Sequence, residues 1–220
     1  VIIIKNFFLY IKCLSMSQLT DKYFDVKKAG QLVYYFLSKA GERKGNITKL
    51  RLAKWLYLAE RNSYKEFGEP MIGDRLAAMR HGPATSELVA IIEGKSRKFD
   101  ANIYKDIISV VRENGHQYVK LVPECPYKSI DDLDRFSEAE IELLNSIWNE
   151  YGRWSAVRLE NHLHDTKFFP EWNWKEGDGT NWIDIETILR VVGFSQDDIG
   201  PMVDNILAFS LVDDDNYSIQ

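Results

Sequence analysis

TKLRLAKWLYLAERNSYKEFGEPMIGDRLAAMRHGPATSEL, residues 48–88, changes character halfway along. The first half places Leu52, Trp55, Leu56 and Ala59 at i, i+3, i+4 and i+7, a spacing that lines one face of an α-helix with apolar side chains. Asn46, just ahead, is of the residue type that caps a helix N-terminus. The pattern runs out near Phe67-Gly68, and Pro70 and Gly73 mark a loop. No helical stripe returns until a shorter helix expected over Glu87 to Glu93. Residues 68–88 therefore read as a connector, in which Gly82 and Pro83 set a tight turn and His81 is hydrogen-bonded.

Towards the N-terminus, Val26, Ala29, Leu32, Val33, Phe36 and Leu37 follow helical spacing, and Gly41 ends that helix. The first fifteen residues, VIIIKNFFLYIKCLS, are apolar but interrupted by Lys5 and Lys12. They are too short and too charged for a spanning helix and lack the features of a signal peptide. With Met16-Ser17-Gln18 behind them, residues 1–15 are expected to be an upstream extension from start-site choice or cloning.

Downstream, residues 106–112 and 117–122 are rich in β-formers and flank Asn114-Gly115, a strong hairpin signal. Ser137 and Glu140 form a capping box, with Phe136 and Ile141 as the hydrophobic staple. That helix should run through Ile147 and Trp148 to Gly152, with another over about 154–164. Ser195 and Asp198 repeat the capping device, but Pro201 would remove a hydrogen bond, so a short turn and a fresh helix from Pro201 are expected. Strands do not alternate with helices, which excludes a doubly wound sheet. The expected class is mainly α (α+β): a helical domain with one small β-hairpin near residues 106–122.

The chain has 220 residues, enough for one or two domains, with 45% hydrophobic and 28% charged residues in ordinary globular proportion. Its net charge of −5 counts against a general nucleic-acid binder. Lys95, Arg97 and Lys98 read as an exposed loop of charges. Cys13 and Cys125 give neither a disulfide framework nor metal-ligand spacing, which points to a reducing, cytoplasmic compartment.

Several catalytic patterns can be weighed. Arg80-His81-Gly82 resembles the way one phosphatase family displays its histidine, but no βα alternation supplies the sheet that such a nucleophile needs. His162 and His164 would point apart on a helix, so they do not make a metal pair. No nucleophile elbow, P-loop or dinucleotide fingerprint occurs. The expectation is no enzyme, no cofactor and no metal. In KFFPEWNWKEGDGTNW, residues 167–182, Phe168, Phe169, Trp172, Trp174 and Trp182 lie among Pro170, Gly177 and Gly179. They can close the core as an aromatic loop or serve as protein-binding anchors, and different rings can do different things.

Taken together, residues 48–88, FSEAEIELLNSIWNEYG (136–152) and LHDTKFFPEW (163–172) resemble the Panacea, or SocA-like, antitoxin domain, a family related to phage GepA-type proteins. The elements that match are Lys54, Leu56 and Tyr57 on a helix; Gly68 and Pro70; Gly73 and Asp74; His81, Gly82 and Pro83; and His164, Pro170 and Trp172. The resemblance covers about residues 24–190, so 16–220 is expected to be one such domain with a branch-specific helical part after about 190. Trp55 stands where a smaller aliphatic is usual, and Leu163 where threonine is common. The resemblance implies an antitoxin that binds a cognate small protein toxin encoded nearby, with delivery to a protease as a further possibility. It makes the matched residues structural or partner-binding. A hydrolase working through His81 or His164, and a prophage DNA-binding regulator, are the alternatives.

Overall fold

The computed structural model describes residues 23–41 and 47–212, with only the backbone described for 209–212. Seven α-helices and six short strands make a mainly α, mixed α+β fold among these residues. Helix α1 (Val26–Gly41) is followed by β1 (Ile47–Thr48), α2 (Lys49–Phe67), β2 (Leu76–Met79), β3 (Gly82–Thr85) and α3 (Ser86–Ile92). Then come β4 (Ile108–Glu113), β5 (His116–Leu121), α4 (Glu138–Tyr151), α5 (Ala156–Leu163), β6 (Asn181–Ile183), α6 (Ile185–Val192) and α7 (Gln196–Val212). No helix among the described residues is long and apolar enough to cross a membrane.

Helix α2 is the axis of the molecule. Its apolar stripe is present, but burial extends around the whole helix: Leu52 through Arg61 are all buried. Helices α1, α4, α5 and α6 and strand β3 all pack against it. Trp55 is fully buried at the centre, stacked on Phe36 at 5.7 Å and met edge-on by Trp148 at 5.1 Å. Offset and edge-to-face pairs of this kind are favoured by the ring quadrupoles and add to area burial. Trp55 thus fills the junction of α1, α2 and α4.

The expected hairpin is present as β4–β5, joined by Asn114-Gly115 with φ of 49° and 78°, the left-handed pair of a type I′ turn. Strand β1 adds to β5 in a three-stranded antiparallel sheet of order β1-β5-β4. The capping box on α4 is formed, with Glu140 accepting from the Ser137 amide at 2.9 Å.

Three expectations about these elements need correction, and one pair of elements is new. Asn46 lies outside the described residues; the side chain that caps α2 is Thr48, whose hydroxyl accepts from the Arg51 amide. Residues 76–85 are a second hairpin rather than a connector: β2 and β3 pair from Leu76↔Thr85 to Met79↔Gly82. This hairpin was hidden because LAAM and GPAT hold small residues of low β-propensity; β3 is held by packing against α2, and β2 by pairing with a strand on each side. Pro83 is tolerated because β3 is an edge of the sheet β3-β2-β6. Strand β6 and helix α6, which had no expectation, complete that sheet and cover α2 with Ile188 and Leu189. Finally, α7 passes straight through Pro201 instead of restarting there. Asp197, whose carbonyl loses its donor, is exposed, so water can replace the missing bond.

Thr48→Ala should lower unfolding free energy by about 1 kcal/mol, the usual worth of a helix N-cap, while Thr48→Ser should leave it nearly unchanged. Urea denaturation followed by circular dichroism measures both.

Candidate functional site

Lys54, Tyr57 and Arg61 stand at i, i+3 and i+7 on α2, roughly opposite the apolar stripe. An isolated amphipathic helix would give that face to water. Here the three are 2%, 0% and 9% exposed, because residues 164–172 and the β2–β3 hairpin lie over them.

The cover is fastened by one carboxylate. Glu171 Oε1 accepts from Tyr57 Oη and Arg61 Nε, both at 2.6 Å, and Arg61 also donates to the Phe168 carbonyl at 3.0 Å. The Glu171 side chain is fully buried, so the guanidinium and phenol replace water for its charge. Burial, then the neighbouring Glu171, push the Tyr57 phenol well above its ordinary value.

Next to it, Lys54 Nζ donates to the Pro83 carbonyl at 2.9 Å. Burial lowers the pKa of this amine from 10.5 to about 7, against the opposing pull of Glu160. Gly82 adopts φ +92°, and a Cβ there would lie 2.9 Å from Lys54 Nζ and 3.2 Å from Nε2 and Cδ2 of His164. A glycine is required on both counts, conformation and space. His164 stacks flat on Trp172, with centroids 4.0 Å apart and planes at 9°. Trp172 in turn donates from Nε1 to the Met79 carbonyl at 2.9 Å, tying the segment to β2. His164 Nε2 is buried without a hydrogen-bond partner among the described residues, and burial holds this imidazole below its ordinary pKa.

His81 occupies the β2–β3 turn, as expected, but its side chain is 67% exposed. Its Nδ1 lies 2.8 Å from Glu160 Oε1 on α5, so it makes a surface ion pair instead of a buried bond within the turn. His162 and His164 sit in different surroundings. His162 packs edge-on against Trp154 and Phe169 and tilted against Tyr151, at 5.1 to 5.7 Å, while His164 faces Gly82 and Trp172.

Gly73 and Asp74 belong to a neighbouring cluster built on the next turn of α2. Glu60 accepts from the Ile72 and Gly73 amides at 2.9 and 3.0 Å, and Asp74 accepts from the Glu87 and Leu88 amides at the start of α3. Burial outweighs these donors, raising Glu60 to about 8 and Asp74 to about 7. Leu56 is simply core, and Pro170 is exposed in the turn ahead of Glu171. Of the aromatic run, Phe169 closes the core under the Arg61 guanidinium, whereas Phe168 and Trp182 are half exposed.

Lys54 and the buried nitrogen of His164 thus face Gly82 and Pro83. Beside them opens a cleft of about 690 Å³, lined by Met79, Arg80, His164, Trp172, Trp174 and the 176–180 loop. Trp174 is held by donating to the Asp178 and Gly179 carbonyls at 3.2 and 3.0 Å. The residues that sequence spacing missed are Glu60, Arg61, Glu160 and Glu171. Each looks like part of a solvated helix face or loop until the cover is in place.

Gly82→Ala should cost about 1–3 kcal/mol of stability, from the left-handed backbone and the displaced Lys54 and His164 side chains, measured as a lower urea midpoint. For Lys54 the sign follows from its lowered pKa. Between pH about 7 and 10.5 the unfolded chain binds a proton that the fold does not, so stability rises with pH across that window. Glu60 and Asp74 have the opposite sign at lower pH, removing stability as pH rises through about 4 to 8. Urea midpoints at pH 7.0 and 9.5 should therefore rise more in the wild type than in Lys54→Met.

A family model described as antitoxin SocA-like, Panacea domain, matches residues 52–173. No curated protein and no solved structure matches the chain. The matched stretch opens inside α2 just before Lys54 and closes just after Trp172, enclosing both carboxylate clusters and the Met79, Arg80, His164 and Trp172 side of the cleft, while Trp174 and the 176–180 loop lie beyond it. The chain belongs to the SocA-like Panacea antitoxin-domain family.

Proposed function

We propose that this protein is the antitoxin of a toxin–antitoxin pair, acting in the cytoplasm by binding a small protein toxin directly rather than by catalysis. The observation that carries this is membership of an antitoxin family across the stretch that builds the cluster. The toxin docks at the cleft beside that cluster, where Trp172, Trp174 and Arg80 offer the residue types that dominate interface energetics. Lys54, Gly82, His164 and Glu171 serve as the scaffold that sets those rings in place. The net charge of −5 favours a basic toxin through complementary charge and fast encounter, and disfavours nucleic acid as the partner. Delivery of the bound toxin to a protease is a further step of the same proposal.

Co-expression with the neighbouring open reading frame tests it. The neighbour alone should arrest growth, this protein should restore it, and the two should co-purify. Arg80→Glu with Trp174→Ala should weaken binding by about tenfold or more without lowering the melting temperature. His81→Ala should leave rescue intact and change stability by less than about 1 kcal/mol, since it removes only an exposed ion pair. A harmless neighbour, or rescue without any complex, would overturn direct neutralisation. A shorter toxin half-life in the presence of this protein would support delivery to a protease, and an unchanged one would sink that step.

A further inference from the structure

Strand β4 is the outer strand of the sheet β1-β5-β4, so one side of its backbone is unpaired by β5. The register settles which groups face outward. Glu113 and His116 close a two-residue turn and therefore exchange hydrogen bonds, and the alternation makes Val111 and Ser109 bond inward as well. The bond from the Val122 amide to the Ile107 carbonyl, at 3.0 Å, continues the same phase. The N–H and C=O groups of Val110 and Arg112 consequently point away from β5. The Ile108 amide also points outward, but it is already spent on the Tyr104 carbonyl at 2.8 Å.

Along this edge runs a groove of about 550 Å³, walled by Ile91, Ile92 and Tyr104 and floored by Ile108 and Val110. Val110 is 39% exposed, a β-branched side chain with no strand beyond it among the described residues. The charges lining the groove that have no ion-pair partner among the described residues are of one sign. Glu93 is satisfied by Lys49 and by Lys95, while Lys105 and Arg112 line the groove, are exposed, and form no ion pair among the described residues. Exposed backbone donors beside an apolar floor are the feature that proteins usually cover or charge, because another strand can add there. Lys105 and Arg112 supply that charge, and their sign selects what can add.

We propose that the β4 edge is a docking strand for an extended, acidic segment of a partner protein, which pairs with the Val110 and Arg112 backbone and sets its carboxylates against Arg112 and Lys105. Apolar side chains of that segment lie over Ile108 and Val110, two residues apart on the same face as the carboxylates. The surface is separate from the Trp172–Trp174 cleft, so the protein can hold a toxin on one face and a second protein, or a second segment, on the other. Nothing in this proposal requires that the chain be an antitoxin.

The probe is an eight-residue peptide alternating threonine with glutamate, valine, isoleucine and glutamate, fluorescently labelled, added to the full chain. Saturating peptide should slow amide hydrogen exchange at Val110 and Arg112 by about tenfold or more and leave Ser109 and Val111, already paired with β5, unchanged. Lys105→Glu with Arg112→Glu should weaken binding by about tenfold or more and reverse the preference towards the lysine version of the peptide. Neither position is in the core, so the variant keeps its fold, checked by melting temperature. Three results would overturn the proposal: equal binding of a peptide with proline in place of its valine, unchanged exchange at Val110 with peptide bound, or Val110 protection without peptide in a sample that sediments as a dimer. The last would assign the edge to a second copy of this chain. Because no toxin is present, failure here leaves the antitoxin proposal untouched.

Discussion

A helix buried on every side must find a partner for each polar group it carries, and α2 carries Lys54, Tyr57, Glu60 and Arg61 within two turns. That requirement organises the rest of the fold. Glu171 is brought in to answer Tyr57 and Arg61, the Pro83 carbonyl to answer Lys54, and the amides of Ile72 and Gly73 to answer Glu60. Each answer fixes a different piece of irregular chain: the segment before β6, the β2–β3 hairpin and the loop leading into β2. The polar face of α2 is the template on which the non-helical parts of the molecule are laid.

The apolar face does the complementary work. Trp55, Leu52 and Leu56 gather α1, α4 and α6 by non-directional burial, which is tolerant of small shifts. The polar face is directional and intolerant, since a buried donor or acceptor without its partner costs its whole desolvation penalty. The family resemblance tracks the second face more than the first. Lys54, Tyr57, Gly73, Asp74, Gly82, Pro83, His164 and Trp172 all lie in or beside the hydrogen-bonded clusters. Trp55, which is not among the matched elements, lies in the core.

The elements legible in the sequence are those whose signals are local: the α2 stripe, the Ser137–Glu140 box of α4 and the Asn114-Gly115 turn of the β4–β5 hairpin. What escaped was set by tertiary contact. LAAM and GPAT are poor strand formers whose pairing is supported by α2 packed on β3 and by β6 paired along β2, and Pro201 sits inside a helix whose first turn is open to water. The same holds for the site. His164, Trp172 and Gly82 could be picked out by resemblance, but not Glu171 or Glu160, since a glutamate in a surface-like segment carries no mark of the arginine or histidine waiting for it across the fold. His81 shows a related limit: its place on a turn was legible, but the partner of its ring is Glu160 on α5, at the exposed surface, and not a group of the turn itself.

The family match stops at residue 173, yet β6 and α6 lie beyond it. Strand β6 covers the open side of β2, and α6 seals α2 with Ile188 and Leu189. A polypeptide ending where the match ends would therefore expose a raw sheet edge on one side and a greasy helix face on the other. The matched stretch of this chain is in this sense a partial enclosure, which residues 181–192 help to close from beyond its end as α1 does from before its start.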